Sequence, residues 1–352
     1  MPYNRTAMPN RISTYTKPGT PGWGSIALLA AAAGLAASAV YVHTKKRAAE
    51  QANPAQGQVI EIDGVRLHYL ERGEGSPLVL LHGNGLYSDD FALSGLLDAA
   101  AESHRVIAFD RPGFGYSERP GDTSWTPEAQ ARLIYKALRA LGVERPVIVG
   151  HSWGTLVTLA LALDYPRYVR AITLVSGYYY PTLRLDAPLA SAPALPVLGQ
   201  LLRHTVAPLL GRLMWPALAR RMFGPAPVPE RFDQFPEWMS LRPAQLGASA
   251  AESGMMMSAA ERLSQRYGEL RLPIAVLAGC GDRVVDPEAH AMRFHKDVPH
   301  SDLQLEEGCG HMLHYAHPAT IMAAVARLEV GARAGYAHIP GWAQQDTGAT
   351  LH

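Results

Sequence analysis

The sequence has few cysteines and almost no net charge. Its two cysteines, Cys280 and Cys309, are too few for a disulfide framework, and their spacing matches no common metal site. The 32 lysines and arginines nearly balance the 31 aspartates and glutamates, and no basic stripe is present, which argues against nucleic acid as the main partner. No segment repeats at a fixed period, which argues against a solenoid or a propeller. The 352 residues suffice for one large domain or two ordinary ones.

The amino-terminal segment also lacks acidic residues. Residues 1–24 are polar and rich in proline and glycine, which predicts disorder. Residues 25–42 then run for 18 positions without a charge, about 27 Å of helix and barely the thickness of a bilayer core. Trp23 and Tyr41 lie at the edges of this run, where amphipathic rings suit a membrane interface. We therefore expect a transmembrane anchor over 25–42, followed by a linker over 43–56.

Two other interpretations of the apolar run stay open. It could be a buried alanine-rich helix, or a cleaved signal peptide with Ala37 and Ala39 as the cleavage motif, which would leave a secreted or periplasmic protein. A leader of 24 residues is long for a signal peptide, and a core helix seldom precedes the first strand of its domain. Both points favour the uncleaved anchor. Cations flank the run on both sides in similar number, so the side of the membrane that the domain faces stays open.

Beyond the linker, strand and helix patterns alternate. Residues 58–72 alternate apolar and polar side chains around Asp63 and Gly64, which is typical of a β-hairpin. Short apolar runs follow, separated by helix patterns, and such runs are expected of strands that are buried on both faces. This alternation predicts a mostly parallel sheet, covered by helices on both faces, built from residues 57–177 and 269–330.

The alternation stops over residues 178–268. This stretch has no strand pattern but holds 11 of the 27 prolines and many leucines, which predicts a helical cap inserted after the sixth strand. Within it, residues 195–223 combine large apolar side chains with charges that are all cationic, a composition typical of helices at anionic lipid surfaces. A cap that simply covers an active site explains the same composition. The polar, glycine-rich tail over 331–352 predicts disorder.

A serine between two glycines follows one of the predicted strands. Gly150, Ser152 and Gly154 form a G-x-S-x-G motif directly after the apolar run 145–149 and before a helix pattern. In such a strand–turn–helix elbow the serine backbone is strained and its oxygen is exposed above the sheet. Side chains in place of the glycines would clash with neighbouring elements. The context predicts Ser152 as a nucleophile, with the amide of Trp153 pointing into the site.

A serine nucleophile needs a base and an orienting carboxylate. His311 and Asp282 each come just after a predicted strand, and the chain order serine, aspartate, histidine suits this kind of site. We expect His311 as the base rather than His314 or His317, because those two fall within the following helix. Asp286 stays an alternative to Asp282 as the orienting acid.

The sequence resembles the α/β-hydrolase superfamily over about residues 57–330. The matching segments are LLHGNG (80–85), DRPGFGYS (110–117), GHSWG (150–154), GCGDRVVDP (279–287) and GCGHMLHYAHP (308–318). The resemblance implies an eight-stranded sheet and favours Asp282 as the triad acid. It also implies that Asn84, which follows Gly83, supplies a second oxyanion-hole amide beside that of Trp153. A triad of this kind requires no metal or organic cofactor, so none is expected.

The HGN segment and the tryptophan after the nucleophile also resemble the haloalkane dehalogenase and epoxide hydrolase branch. In that branch the asparagine and tryptophan side chains hold a leaving halide, and the nucleophile is an aspartate. Ser152 departs from this pattern at the decisive position. A serine that displaced a halide would form a stable ether with no carbonyl for water to attack, so dehalogenation is disfavoured.

The motifs predict a serine hydrolase that cleaves an ester, a lactone or a related acyl bond of a small, lipophilic substrate. The same triad supports C–C bond hydrolysis, acyl transfer or cofactor-free, haloperoxidase-type peracid chemistry. The candidates for binding an anionic substrate in the cap are Arg184, Arg203, Arg212, Arg220 and Arg221. A third hypothesis, an inactive membrane-tethered binding protein on a hydrolase fold, is disfavoured by the intact triad. The natural substrate and the oligomeric state stay open.

Cys280 and Cys309 each precede a predicted triad member by two residues, at the ends of strands that should be neighbours. They are therefore expected to lie close together, and a disulfide would form only in an oxidising compartment. Two free thiols that act as small buried hydrophobic side chains are the favoured interpretation.

Overall fold

The computed structural model describes residues 23–182 and 190–335, with side chains as far as residue 330. The expectations for residues 1–22 and 336–352 and for Arg184 lie outside this part of the chain. The strands within it are β1 (Gln58–Ile62), β2 (Val65–Arg72), β3 (Ser76–Leu81), β4 (His104–Phe109), β5 (Val147–His151), β6 (Ala171–Val175), β7 (Ile274–Gly279) and β8 (Asp302–Glu306). The α-helices are α1 (Trp23–Ala52), α2 (Asp89–Ser94), α3 (Leu96–Ala101), α4 (Pro127–Ala140), α5 (Gly154–Asp164), α6 (Leu198–His204), α7 (Val206–Phe223), α8 (Glu237–Ser240), α9 (Pro243–Ser264), α10 (Arg293–Asp297), α11 (Leu313–Ala316) and α12 (Pro318–Gly335).

The described strands form one eight-stranded sheet in the order β1-β2-β4-β3-β5-β6-β7-β8. β1 and β2 form an antiparallel hairpin, β2 pairs antiparallel with β4, and the other neighbouring strands are parallel. The hairpin turns at Asp63 and Gly64, whose φ angles of 51° and 77° suit a two-residue type I′ turn. The predicted fold class, a mostly parallel eight-stranded α/β sheet, is confirmed.

Helices cover both faces of the sheet, as predicted. On one face α4 and α5 pack Leu138 and Leu156 against the strands, and on the other α2, α3 and α12 pack Phe91, Leu97 and Ile321. The central strands are mostly apolar because both of their faces are covered. The parallel strands end at the same edge, so the loops that follow β3, β5, β7 and β8 meet there.

The helices between β6 and β7 form the predicted cap. α9 passes beside α5 and contacts the other cap helices, α6, α7 and α8. A separate apolar cluster joins the cap to the sheet loops, with Phe223 and Phe235 of the cap against Tyr87 and Phe114 of the loops. Part of α7 stays uncovered, since Leu213 is 78% exposed. The cap therefore has one apolar face toward the sheet and another toward solvent.

The first helix extends further than the sequence predicts. α1 is continuous to Ala52, so most of the predicted 43–56 linker is helical. Val42 is buried against the folded domain, and Ser38 Oγ donates to the carbonyl of Thr205 in the cap at 2.9 Å. These contacts with the folded domain explain why α1 continues beyond the predicted end of the apolar run at residue 42. The apolar window of α1 is only 6% buried with a mean hydropathy of 2.0, so the helix is long and apolar enough to cross a membrane.

Candidate active site

Ser152 lies on a tight turn between β5 and α5. Its φ is 53°, in the left-handed region that few residues other than glycine adopt. A Cβ on Gly154 would collide with the carbonyl oxygen of Leu81, and one on Gly150 would collide with Thr158 Oγ1. Glycine is therefore needed at both positions if strand, turn and helix are to pack this closely.

His311 and Asp282 reach Ser152 from two neighbouring loops, and both are buried. His311 Nε2 lies 2.9 Å from Ser152 Oγ, and His311 Nδ1 lies 2.7 Å from Asp282 Oδ2. The other carboxylate oxygen, Asp282 Oδ1, accepts the amide hydrogens of Val284 and Val285 at 2.7 and 2.9 Å. These amides fix the carboxylate, and the carboxylate in turn selects the Nδ1–H tautomer. Nε2 can then accept the serine proton.

The rival candidates lie outside this chain of hydrogen bonds. Asp286 Oδ1 accepts two backbone amides of the helical turn that follows it. His314 is buried, with Nε2 2.8 Å from Asp90 Oδ2. His317 is partly exposed, and its Nδ1 lies 4.0 Å from Glu306. Of the acids and bases considered from the sequence, only the pair in the preceding paragraph reaches the serine.

Asn84 and Trp153 lie on the two sides of the serine. Gly83 packs directly against it, since a Cβ there would stand 3.0 Å from Ser152 Cβ. In the part of the chain that the structure describes, no backbone carbonyl accepts the amide hydrogen of Asn84 or of Trp153. Both amides are thus available to a substrate oxygen at the nucleophile, which is what an oxyanion hole requires.

The side chains of the same two residues bind the cap. Asn84 Nδ2 donates to Ser249 O and Ser253 Oγ, both at 3.1 Å, and Trp153 Nε1 donates to Glu252 O at 3.3 Å. All three acceptors belong to α9. The groups that hold a halide in the dehalogenase branch are therefore engaged with the protein itself, which is a second reason, besides the nucleophile, against dehalogenation.

A buried ion pair that sequence reasoning missed lies behind the oxyanion loop. Arg111, in the loop after β4, pairs with Glu252 of α9, and both side chains are fully buried. Arg111 Nε donates to His82 O at 2.8 Å, and Nη2 donates to Gly83 O at 3.0 Å. Its guanidinium also lies 4.8 Å from the centre of the Trp153 ring. One side chain thus joins the oxyanion loop, the nucleophile turn and the cap.

The sequence does contain a signal for this pair. Glu252 is the only charged residue in the stretch GASAAESGMMMSAA (247–260). A single carboxylate in an apolar helix is costly unless a cation or several donors satisfy it, so its partner could have been sought among the loop arginines.

Two buried histidines support the catalytic loops in their neutral forms. His82 Nδ1 donates to the carbonyl of the next residue at 2.8 Å, and its Nε2 accepts the amide hydrogen of Arg111 at 2.9 Å. Burial, and then the charge of Arg111, lowers the pKa of His82 to about 3. Burial, followed by the neighbouring His314 and His311, lowers the pKa of His151 well below its usual range. His151 Nε2 donates to the carbonyl of His311 at 3.1 Å, which fixes the backbone of that residue.

One group of residues could be taken for a metal site. Asp90, His151 and His314 offer ligand atoms that lie within 4.8 Å of one another, and all three are buried. The Asp90 carboxylate, however, already bonds to His314 Nε2 at 2.8 Å and accepts the hydroxyl of Tyr315 at 3.0 Å. Asp90, His314 and Tyr315 thus form a hydrogen-bond network that positions α11, whereas the Nδ1 atoms of His151 and His314 have no hydrogen-bond partner among the described residues.

A cavity of about 310 Å³ opens over the serine and the histidine. Its walls are mostly apolar and come from the cap and the adjoining loops: Tyr178, Trp215, Leu218, Met222, Met256 and Val285. Among the described cap arginines predicted as anion binders, only Arg221 lines it, whereas Arg203, Arg212 and Arg220 lie elsewhere. Cavities of this size and polarity bind small, largely apolar ligands.

Both cysteines are free, which agrees with the favoured interpretation. Cys309 is buried, as expected, and burial raises the pKa of its thiol to about 11. The prediction that both thiols are buried is wrong for Cys280, which is exposed, with Sγ 3.4 Å from Glu307 Oε1. The strand before Cys280 ends one residue earlier than the sequence suggests, which places this side chain in the exposed turn.

Known proteins that match this chain share the fold described above. The alpha/beta hydrolase fold family matches residues 76–318. A 2-hydroxymuconate semialdehyde hydrolase of Pseudomonas putida is 37% identical over 160 residues, 44% of this chain and 56% of that protein, so the match spans about half of that relative. A 2-hydroxy-6-oxo-2,4-heptadienoate hydrolase of Pseudomonas putida is 27% identical over 74% of this chain and 91% of its own length. The crystal structure of a bacterial membrane phospholipase A has the same fold, with a TM-score of 0.62, 22% identity and coverage of 88% of this chain and 97% of its own.

Proposed function

Since the chain belongs to the α/β-hydrolase fold family, we propose that it is a serine hydrolase that cleaves an ester or a related acyl bond through an acyl-enzyme on Ser152. The observation that carries the proposal is the unbroken hydrogen-bond chain from Ser152 Oγ to His311 Nε2 and from His311 Nδ1 to Asp282 Oδ2. A serine hydroxyl is a weak nucleophile on its own. A base that a buried carboxylate holds at hydrogen-bond distance makes it reactive.

In this mechanism His311 takes the serine proton while Ser152 Oγ attacks the substrate carbonyl carbon. Asp282 keeps the imidazole oriented and stabilises the imidazolium that forms. The amides of Asn84 and Trp153 bind the negative charge that develops on the carbonyl oxygen. The imidazolium then protonates the leaving alcohol, and the acyl group stays on the serine. Water that gives its proton to His311 attacks the acyl-enzyme and releases the acid.

The cap supports a lipophilic substrate supplied from a membrane. α7 contributes Trp215, Leu218 and Met222 to the catalytic cavity. On its outer side the same helix exposes Leu213 to 78% and Leu210 to 52%. We propose that residues 25–42 anchor the protein in a bilayer, so that these outer side chains contact lipid and the substrate enters through the cap.

One observation favours a second candidate, hydrolysis of a C–C bond in a diketone-like acid. The 37% identical relative is named a semialdehyde hydrolase, and the 27% identical relative a heptadienoate hydrolase. Arg221 at the cavity wall could bind the carboxylate of such a substrate. Its Nε donates to the carbonyl of Arg283 at 3.0 Å, and its two terminal nitrogens make no hydrogen bond within the described residues, so they can bind a ligand.

A substrate panel separates the two candidates. The full chain in neutral detergent is assayed with p-nitrophenyl esters from acetyl to palmitoyl and with a 2-hydroxy-6-oxo-dienoate, and Ser152→Ala serves as the blank. We expect ester turnover to exceed dienoate turnover and to be highest for a medium or long acyl chain, because the cavity walls are apolar. A higher kcat/KM for the dienoate than for every ester would replace ester cleavage by C–C hydrolysis.

A further inference from the structure

A second cavity, of about 1180 Å³, lies away from the catalytic site, between α1 and the cap. Ala39, Val42, His43 and Lys46 of α1 line one wall. Residues of α9 line the opposite wall, and the loop 113–125 after β4 forms the base. We call this cavity the α1 groove.

Most of the charged residues that line the α1 groove are cations. Lys46, Arg119 and Arg203 line it, together with two histidines. Among the described lining residues Glu118 is the only acid, and its carboxylate is turned toward Arg66, 3.7 Å away. The groove is therefore complementary to an anion rather than to a cation.

Two of these cations, Arg119 and Arg203, form no salt bridge within the described residues, although the Glu252 carboxylate partly offsets the effect of burial on Arg119. Arg203 Nε donates to the amide oxygen of Gln200 at 3.1 Å, and Arg119 Nη1 donates to the carbonyl of Pro112 at 2.9 Å. Burial lowers the pKa of both guanidinium groups. Cations that have lost part of their hydration without gaining a counter-ion bind an anion more strongly than fully hydrated ones do.

The α1 groove opens at the level where the uncharged run of α1 ends. Val42 is the last residue of that run, and Lys46 follows four residues later, about 6 Å further along the helix axis. If residues 25–42 cross the hydrocarbon core, Lys46 stands in the headgroup layer, where lipid phosphates lie. Ala39, which is partly exposed, then lies at the boundary between headgroups and acyl chains.

We propose that the α1 groove binds the headgroup of an anionic phospholipid, with its phosphate among Lys46, Arg119 and Arg203 and its acyl chains beside Ala39. This inference rests on the proposed membrane anchor and is independent of the proposed ester hydrolysis. At about 1180 Å³, against about 310 Å³ for the catalytic cavity, the groove has room for a complete headgroup. The bound lipid bridges α1 and the cap, and so fixes how the cap faces the bilayer.

The test compares two charge-matched double variants of the full chain, each also carrying Ser152→Ala so that no lipid is hydrolysed. Lys46→Gln with Arg203→Gln removes one cation from α1 and one from the cap side of the groove. Lys45→Gln with Arg220→Gln is the control, because it removes the same charge from α1 and the cap at positions that do not line the groove.

Binding of dihexanoyl-phosphatidylglycerol is measured by isothermal titration calorimetry in neutral detergent, with dihexanoyl-phosphatidylcholine and inorganic phosphate as separate titrants. The parent and the control variant should bind phosphatidylglycerol alike, and the groove variant at least about tenfold more weakly, because charge-assisted contacts are lost. Phosphatidylcholine should bind more weakly because its choline cancels the phosphate charge. Inorganic phosphate should bind most weakly because it lacks the acyl contacts.

Equal phosphatidylglycerol affinity in the two double variants would overturn the proposal. So would phosphatidylcholine or inorganic phosphate that binds as tightly as phosphatidylglycerol. The intact mass of the chain isolated from membranes keeps the anchor question separate. A chain cleaved after Ala39 has lost most of the apolar run and contradicts the anchor, whereas an intact chain that binds no phosphatidylglycerol contradicts the groove alone.

Discussion

The floor and the roof of the catalytic cavity are held in place by different kinds of interaction. The floor consists of loops at the carboxyl edge of the sheet, where glycines such as Gly154 allow backbones to approach too closely for any side chain. The roof consists of cap helices that rest on side-chain contacts and on one buried ion pair, while leucines of α7 stay exposed. A floor of this kind tolerates almost no displacement, because small shifts separate the reacting groups. Changes in the floor should therefore abolish turnover, and changes in the roof should alter stability or substrate choice.

The largest effect is expected in the floor. Asp282→Asn should lower kcat by about 10³- to 10⁴-fold, because asparagine leaves His311 in the wrong tautomer. Asp286→Asn is the matched control, and it should lower kcat less than about tenfold, since Asp286 bonds only to backbone amides of its own turn. Ester kinetics give both values, and circular dichroism verifies that both variants fold. A larger loss in Asp286→Asn would assign the orienting acid to Asp286.

The next effect tests how the roof is fixed to the floor. Arg111→Met should lower the free energy of unfolding by about 3–5 kcal/mol, because Glu252 is left buried without its partner. Adding Glu252→Leu to that variant should restore much of the loss, since no charge then stays buried.

Denaturant unfolding measures these values, with Arg262→Met as control. Arg262 pairs with Glu128 at 3.2 Å on a partly exposed surface, so its loss should lower the free energy of unfolding by less than about 1 kcal/mol. If Arg111→Met is no less stable than Arg262→Met, the ion pair does not hold the cap to the floor.

A third effect concerns the neutral histidines of the floor. The pKa of His82 is lowered to about 3 and that of His151 well below its usual range, so at about pH 4–6 the unfolded chain binds protons at both that the folded protein does not. Asp89 acts in the opposite sense, because burial raises its pKa to about 6 and the folded carboxyl keeps a proton that the unfolded one releases. Summed over these three groups, the unfolded chain binds about one proton more than the folded protein does in this pH range. The contribution of these three groups to the free energy of unfolding should therefore fall by about 1.4 kcal/mol per pH unit as the pH is lowered from about 6 to about 4.

Denaturant unfolding at a series of pH values measures that slope. In His82→Asn, whose amide oxygen can accept the same backbone hydrogen bond from Arg111, the slope should be smaller than that of the parent by about 1.4 kcal/mol per pH unit. A slope equal to that of the parent would show that His82 does not stay neutral in the folded protein.

The smallest effect is expected at the outer face of the roof. Leu210→Ser with Leu213→Ser should leave kcat/KM for a soluble acetate ester unchanged within about twofold and slow cleavage of a long-chain ester in anionic vesicles by about tenfold, because two membrane contacts are lost. Val59→Ser with Leu305→Ser is the control, because these side chains are 46% and 38% exposed on outer strands of the sheet. Equal vesicle rates in the two variants would exclude α7 as the lipid contact.

The floor could be predicted from the sequence because each part of it depends on a local pattern. The turn around Ser152 and the loop positions of Asp282 and His311 are each recorded in a separate segment of a few residues. A parallel sheet then brings such loops together at one edge without further information. The mostly parallel sheet and the position of the cap followed from the same reasoning, whereas the number of strands came from the resemblance to the superfamily.

The roof and α1 could not be predicted to the same extent, because they depend on contacts between distant residues. The pairing of Arg111 with Glu252 spans 141 positions, and no periodic pattern specifies it. α1 continues to Ala52 because it docks on the cap, which local composition does not reveal. After Ser88 the chain forms two short helices, because Gly95, whose φ is 81°, ends α2 and precedes α3.

The central claim, an acyl-enzyme on Ser152, is tested most directly by covalent labelling. The full chain is treated with a fluorophosphonate, which reacts with serines that are activated by a base and held beside an oxyanion hole. Peptide mass spectrometry then locates the adduct. We expect one adduct per chain on Ser152, formed much more slowly in Asp282→Asn and absent in Ser152→Ala. An unlabelled parent protein, or an adduct on a different serine, would contradict the account.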